Sequence, residues 1–178
     1  MLETLPTIRL AAPGEDGAIT RLVERALAEY RDADPVMHEG YVAYSIDPTH
    51  AIGAEQLVVE LDGRIVGSVL FFPTVLYRAA WPSNVATFGT LAVDPSIRRR
   101  GIGARLVEAC IERARSGGAN GVIIETMPFM SSAAAFYGRL GFRRWEAGDW
   151  DGTFVLREFL DGREAPRTIL SAWRLDFD

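Results

Sequence analysis

The stretch Leu91–Gly103, LAVDPSIRRRGIG, decides how the chain is read. An apolar run from Phe88 to Val93 stops at Asp94-Pro95, a turn signal. Arg98, Arg99 and Arg100 follow, then Gly101-Ile102-Gly103, and an amphipathic pattern begins. The pattern predicts a strand, a tight glycine loop and a helix N-terminus. Such an N-terminus attracts anions, because its orphan N–H groups and the helix dipole both favour negative charge. Glycine lets a phosphate reach the backbone with no Cβ in the way. The arginines add charge and forked donors. In the helix, Ile102, Leu106, Cys110 and Ala114 recur at i+4, Val107 and Ile111 widen the stripe, and Gly117-Gly118 ends it.

Outward from this stretch, 178 residues suit one domain, 1–178, with a sizeable core. The net charge of −5 argues against a general nucleic-acid binder, so the arginine cluster is a local positive patch on an acidic chain. All 19 basic side chains are arginine. A Schiff-base lysine and a Walker A loop are therefore excluded. The single cysteine, Cys110, falls on the apolar helix face and reads as a buried structural thiol. Two histidines and one cysteine give no metal-ligand spacing, so no metal is expected. The N-terminus lacks a signal-peptide pattern and no apolar run approaches a membrane span. The expectation is a cytoplasmic protein with no membrane partner.

The remaining elements follow from periodicity and turn signals. Strands are expected at Thr7–Ala11, Gln56–Glu60, Arg64–Phe72 with an extension over Val75–Tyr77, Val85–Val93, Val122–Thr126, Phe142–Trp145, Thr153–Phe159 and Thr168–Leu175. Helices are expected at Gly17–Tyr30, at Gly40–Ser45 after a polar stretch broken by Pro35, and at Ser131–Leu140 with Ser131 as cap. Asp62-Gly63 predicts a hairpin. The polar, aromatic-flecked region Tyr30–His50 is a candidate substrate lip.

Two motifs in order resemble the GCN5-related N-acetyltransferase (GNAT) family. The first is Leu91-Ala92-Val93-Asp94-Pro95 with Arg98-Arg99-Arg100-Gly101-Ile102-Gly103, similar to the family's acetyl-CoA loop, (Q/R)-x-x-G-x-(G/A). The second is Ala133-Ala134-Ala135-Phe136-Tyr137-Gly138-Arg139-Leu140-Gly141-Phe142, similar to its A-x-x-(L/F)-Y-x-x-x-G-F segment. One helix and one strand separate them. The similarity runs from about Gln56 to Phe142 and fades outside.

The resemblance implies an α/β fold: a mixed, mostly antiparallel central sheet of six to seven strands flanked by helices, with strands four and five splayed. It implies acetyl-CoA as cosubstrate, lying in the splay. Leu91, Ala92 and Val93 would flank the pantetheine arm. Arg98, Arg99, Arg100, Gly101, Ile102, Gly103 and Ala104 would surround the pyrophosphate, with Ser131 and Tyr137 on the far side. Tyr137 matches the position that protonates the departing thiolate, and a strand-four N–H near Val93 would hold the oxyanion. Strand four (Thr87-Phe88-Gly89-Thr90) lacks the glutamate many relatives carry, and Met130 stands where many have Asn. Glu125 is the first substitute as base; Glu60, His38 and a water relay stay open. The acceptor is a small-molecule or peptide amine. Asp32, Asp34, Glu39, Glu146, Asp149 and Asp151 would suit a cationic one. A homodimer is expected from the family.

Two other readings compete. A non-catalytic acetyl-CoA-binding sensor or scaffold would account for the missing strand-four glutamate. A dinucleotide-binding oxidoreductase would use the Gly-x-Gly loop, with Glu125 about 20 residues on. Against the latter, Leu106 replaces the third fingerprint glycine and no second nucleotide half follows.

Overall fold

The Asp62-Gly63 turn is where the sheet starts to be built. Both residues take positive φ, +51° and +72°, the handedness a two-residue hairpin needs. They join β2 (Glu55–Leu61) to β3 (Arg64–Phe72). β1 (Thr7–Leu10) pairs antiparallel outside β2, and β4 (Thr87–Val93) antiparallel outside β3. A second sheet has the order β5-β8-β6, with β5 at Gly121–Thr126, β6 at Arg143–Arg144 and β8 at Ile169–Asp176. β7 (Trp150–Asp151) also pairs with β8. The computed structural model describes residues 6–75 and 80–177. Among them eight strands form, two of only two residues, against the six to seven expected.

The two sheets touch through one parallel bridge, Ala86 to Val122. Ala86 donates its N–H to the Gly121 carbonyl, and Ile123 donates to the Ala86 carbonyl, both at 3.0 Å. Beyond that point β4 pairs only with β3, so β4 and β5 part. This is the splay the resemblance implies.

Helices cover both faces. α3 (Ile102–Ser116) lays Ile102, Leu106, Val107 and Cys110 against Leu57, Val59, Val69 and Phe71 of β2 and β3. Gly67 sets that approach: a Cβ there would lie 3.0 Å from Ile102 and 3.1 Å from Leu106. Leu106 is fully buried, so Leu106→Ala would cost about 2–5 kcal/mol. α1 (Asp16–Leu27) covers the other face, with Ile19, Leu22, Val23 and Ala26 packed on Val58 and Ala92.

Alternation along β4 breaks once. Phe88 packs with the α3 layer, but Ala92, four residues on, packs with α1. An even spacing should keep them on one face. The register explains it: Ser68 pairs with Ala92 and Leu70 with Gly89, so Thr90 and Leu91 both lie opposite Val69. This is a β-bulge, and Thr90 carries φ +49° within it.

Three local readings change. Pro35 does not break a helix but opens one: α2 spans Pro35–Ile46, with the Asp34 carboxylate accepting the Met37 N–H at 3.1 Å. Thr153–Phe159 is not a strand; Thr153–Glu158 is α5, entered through Asp151, whose carboxylate accepts the Thr153 N–H at 3.0 Å. β-branched and aromatic residues suggested a strand there, but Leu156 buries against Met37, Met127 and Leu170 from a helix. α4 (Ser131–Arg139) has Met130 at its N-cap, so Ser131 is the first helical residue and makes no cap bond. β3 ends at Phe72, and residues 76 and 77 of its expected extension lie outside the described ones.

Candidate active site

The parting of β4 and β5 opens a cleft of about 560 Å³. One wall is β4 itself. Asp94 donates its N–H to the Val66 carbonyl of β3 at 2.9 Å. By alternation the amides of Val93 and Leu91 face the opposite, unpaired edge. They are positioned to accept an extended amide-bearing chain as an added strand.

The floor is the N-terminus of α3. Its first helical bond runs from the Arg105 N–H to the Gly101 carbonyl at 3.0 Å, leaving Ile102, Gly103 and Ala104 amides without a helical acceptor. Gly101 has φ +77°, and a Cβ there would meet nothing within 4 Å. It turns the chain into the helix and leaves room for a large anion. Gly103 differs: a Cβ would touch Phe136 at 3.4 Å. The cleft's size, its free strand edge and its open anion end fit a long, phosphate-bearing thioester such as acetyl-CoA.

The arginines divide. Arg98 lines the cleft, but its guanidinium is engaged by the Glu29 carboxylate and, at 2.8 Å, by the Ala26 carbonyl. It ties the loop to the end of α1. Arg99, at φ +67°, lines the cleft, whereas Arg100 is exposed and lies outside its lining. Leu91, Ala92, Val93, Gly101, Ile102, Gly103, Ala104 and Tyr137 all line it; Ser131 does not, and its neighbour Ser132 does. Asp94 stays a turn residue, accepting from Ser96 Oγ at 2.7 Å and its N–H at 3.0 Å, and from Arg25 at 3.1 Å. These bonds hold its carboxyl below the usual range.

Tyr137 enters from α4 as part of the core, with Phe88, Phe136 and Phe142 rings 5.1–6.0 Å away, centroid to centroid. Burial pushes its phenol well above the ordinary value. Across the cleft from α4, the Tyr30 hydroxyl meets that of Ser132, near the start of α4, at 3.0 Å. Cys110 is fully buried, and burial pushes its thiol up to about 12, so it is inert.

A second, narrower hollow of about 70 Å³ joins the cleft. Tyr41, Phe88, Gly89, Thr90 and Glu125 line both. The meeting point is thus the bulge of β4 facing the end of β5. Glu125 projects there because it shares a face with Ile123, away from Val122 and Ile124 in the α3 layer. Beyond it the hollow is walled by α2 (Tyr41, Tyr44), by Phe72, Trp81 and Trp150, and by Val155 and Leu156 of α5. Trp81 donates its indole N–H to the Gly148 carbonyl at 2.9 Å, which leaves its ring as an apolar wall.

Other expected candidates fall elsewhere. His38 is buried with Nε2 3.0 Å from the Leu27 carbonyl, a tie between α2 and α1. Glu60 accepts Arg9 at 2.7 Å on the far edge of the sheet. Neither lines the cleft or the hollow. The two acidic clusters do not line them either: Glu39 pairs with Arg163 at 2.6 Å, Asp149 pairs with Arg144, Asp34 caps α2, and Asp151 accepts the Thr153 N–H at the entry to α5. Conversely, His50, the last residue of the expected lip, stands in the hollow's wall, its ring 3.8 Å from that of Tyr44. Tyr41 and Tyr44, three apart on α2, share that wall; the aromatic-flecked lip was the available signal. Among the described residues no cluster of three or more His, Cys, Asp or Glu could hold a metal, and no helix is long and apolar enough to cross a membrane.

The fold recurs in known proteins. The chain is 28% identical over 158 residues to glucosamine 6-phosphate N-acetyltransferase 1 of rice, covering 80% of this chain and 93% of that protein. The PaiA N-acetyltransferase of Thermoplasma acidophilum, solved with coenzyme A, superposes with a TM-score of 0.72 over 98% of this chain and all of that one, at 11% identity. A GNAT acetyltransferase of Brucella melitensis, solved with acetyl-CoA, gives a TM-score of 0.58 at 23% identity, over 78% and 83% of the two chains. Residues 19–142, from α1 through the whole cleft to the end of the Tyr137 segment, match the acetyltransferase (GNAT) family, and the chain belongs to it.

Proposed function

We propose that this protein transfers an acetyl group from acetyl-CoA to a primary amine by direct attack in a ternary complex. The observation that carries the reading is the junction of two cavities at Gly89, Thr90 and Glu125, one suited to a long phosphate-bearing donor and the other to a small acceptor. Relatives named as acetyltransferases, one of them solved with acetyl-CoA, support the donor.

Each group at the junction has a task. Amides of Ile102 to Ala104 hold the pyrophosphate, and those of Leu91 and Val93 pair with the pantetheine arm. The donor supplies an activated thioester carbonyl. Glu125, directly or through water, takes a proton from the incoming ammonium, since only the neutral amine can attack. As the C–N bond forms and the C–S bond breaks, a strand-four amide between the Thr90–Leu91 bulge and Val93 stabilises the charge on the carbonyl oxygen. Tyr137 then gives its phenolic proton to the departing sulfur and is reprotonated by the second proton that the nitrogen sheds as the amide forms. Its raised pKa keeps it protonated throughout the neutral range, which an acid requires.

A thiol-release assay on the purified protein with acetyl-CoA and an amine panel tests this, with products identified by mass. Amine-dependent thiol release with N-acetyl product is expected. Tight acetyl-CoA binding with no acetylated product from any amine would instead support the sensor reading.

A further inference from the structure

The turn that follows α1 is fastened to both walls of the larger cleft. Ala28–Tyr30 continues α1 as a single 3₁₀ turn. Its Glu29 accepts from Arg98, whose guanidinium also donates to the Ala26 carbonyl at 2.8 Å. Arg98 belongs to the loop between β4 and α3, so this end is tied to the β4 wall. Arg25 of α1 adds a second tie there, to Asp94 at 3.1 Å. Tyr30 reaches the other way. Its hydroxyl meets that of Ser132, on the first turn of α4, at 3.0 Å. Its ring centroid lies 5.5 Å from that of Phe129, between β5 and α4. Glu29, Tyr30, Arg98 and Ser132 all line the cleft. Two successive residues therefore hold opposite sides of the opening between β4 and β5, and the turn forms a crossbar over it.

The two anchors differ in strength. The β4 wall holds the turn through two ion pairs and a guanidinium–carbonyl bond. Charge-assisted hydrogen bonds are the stronger kind. The α4 side holds it through one solvent-exposed bond between neutral hydroxyls and one ring contact. The Tyr30 end is therefore the end that yields. Resting on the acetyl-CoA reading above, we infer that the Tyr30–Ser132 bond is a gate on the donor cleft. It closes over the pantetheine arm and opens each time a CoA ester enters or CoA leaves. Closed, it shields the thioester from water and confines a flexible arm. The bond is made over the empty and the filled cleft alike, so opening costs the same in both directions. A gate of this kind slows entry and exit together and leaves affinity unchanged. A donor that instead threads its slim acetyl end beneath the crossbar is indifferent to the bond.

The test compares the unmodified protein with Tyr30→Phe, Ser132→Ala and the double variant. Each single change removes one exposed hydroxyl, and Tyr30→Phe keeps the ring on Phe129, so the fold is expected to be retained. Stopped-flow mixing with the fluorescent ethenoadenine analogue of CoA reads the association and dissociation rates. Calorimetry with acetyl-CoA reads the affinity. Each single variant is expected to raise both rates by about three- to tenfold, the worth of one neutral hydrogen bond. The affinity for acetyl-CoA should stay within about twofold. The double variant should be no faster than either single one, because all three lack the same bond. Rates unmoved by either single variant overturn the gate in favour of threading. Rates that rise additively in the double variant also overturn it, as does weaker affinity with association unchanged, which would make the hydroxyls separate contacts to the donor. In these cases acetyl-CoA binding stands. Absence of acetyl-CoA binding by the unmodified protein overturns the parent reading, and the gate with it.

Discussion

The larger cleft is made chiefly by consecutive elements, β4, α3, β5 and α4, with the end of α1, Tyr30 and Tyr41 closing it, and much of its chemistry is backbone: amides at a helix start and along a free strand edge. The acceptor hollow is assembled from α2, the end of β3, β7 and α5, and its chemistry is side chains. On the proposed reading the larger cleft holds a single donor, acetyl-CoA, so its parts are fixed by local geometry. The acceptor side can change by substituting wall residues without disturbing that geometry. If this division holds, perturbing one side should leave the other's ligand nearly untouched.

The largest separation is expected from Gly101→Glu and Gly103→Glu. Each places a carboxylate where the pyrophosphate would lie, and Gly101 also sits at φ +77°, which non-glycine residues resist. Acetyl-CoA affinity is expected to fall by about 100-fold or more in calorimetry. Circular dichroism should show the fold retained.

Glu125→Gln cuts at the junction. It is expected to lower kcat by about 100-fold, the low end for loss of a positioned base, while acetyl-CoA affinity stays within about twofold. Equal loss of both would place Glu125 in donor binding and blur the division.

Tyr137→Phe keeps the buried ring and removes the acid. Turnover should drop by roughly tenfold or more, with acetyl-CoA affinity unchanged. Unchanged turnover, with chemistry shown to limit the rate, would remove Tyr137 from the mechanism.

The smallest effects belong to the arginines. Arg98→Ala loses the Glu29 pair and the Ala26 carbonyl, and is expected to weaken acetyl-CoA binding a few-fold and to cost about 1 kcal/mol. Arg100→Ala, outside the cleft, should change neither. Stability should also fall in acid through Asp94. Its pKa is depressed in the folded state, chiefly by Ser96, so the stabilisation is present above the unfolded value near ~3.9 and is lost as pH falls through the folded value. Asp94→Asn should therefore lower Tm at pH 7, and the difference from the unmodified protein should vanish once the pH has fallen through the folded value.

The same division explains what could be read from the chain. The Gly101-Ile102-Gly103 loop, the Asp62-Gly63 hairpin and the α3 stripe are local signals, and each formed as expected. The bulge at Thr90–Leu91 was invisible, because register with β3 and not a turn residue creates it. The acceptor wall was legible only as an aromatic-flecked stretch; Trp150 and Leu156 arrive from elements far along the chain. α5 was read as a strand because Thr153, Phe154 and Val155 favour one, and long-range packing of Leu156 decides otherwise. The acidic clusters were read as substrate attraction, but capping and ion pairing account for Asp34, Glu39, Asp149 and Asp151.

The central claim is that the opening between β4 and β5 binds acetyl-CoA through the α3 N-terminus. Calorimetric titration of the unmodified protein and Gly101→Glu with acetyl-CoA, with NAD as a parallel ligand, tests it most directly. The account predicts saturable acetyl-CoA binding at one site per chain, lost in the variant, and no heat with NAD. Binding of NAD without acetyl-CoA, or acetyl-CoA binding undiminished by Gly101→Glu, would contradict it.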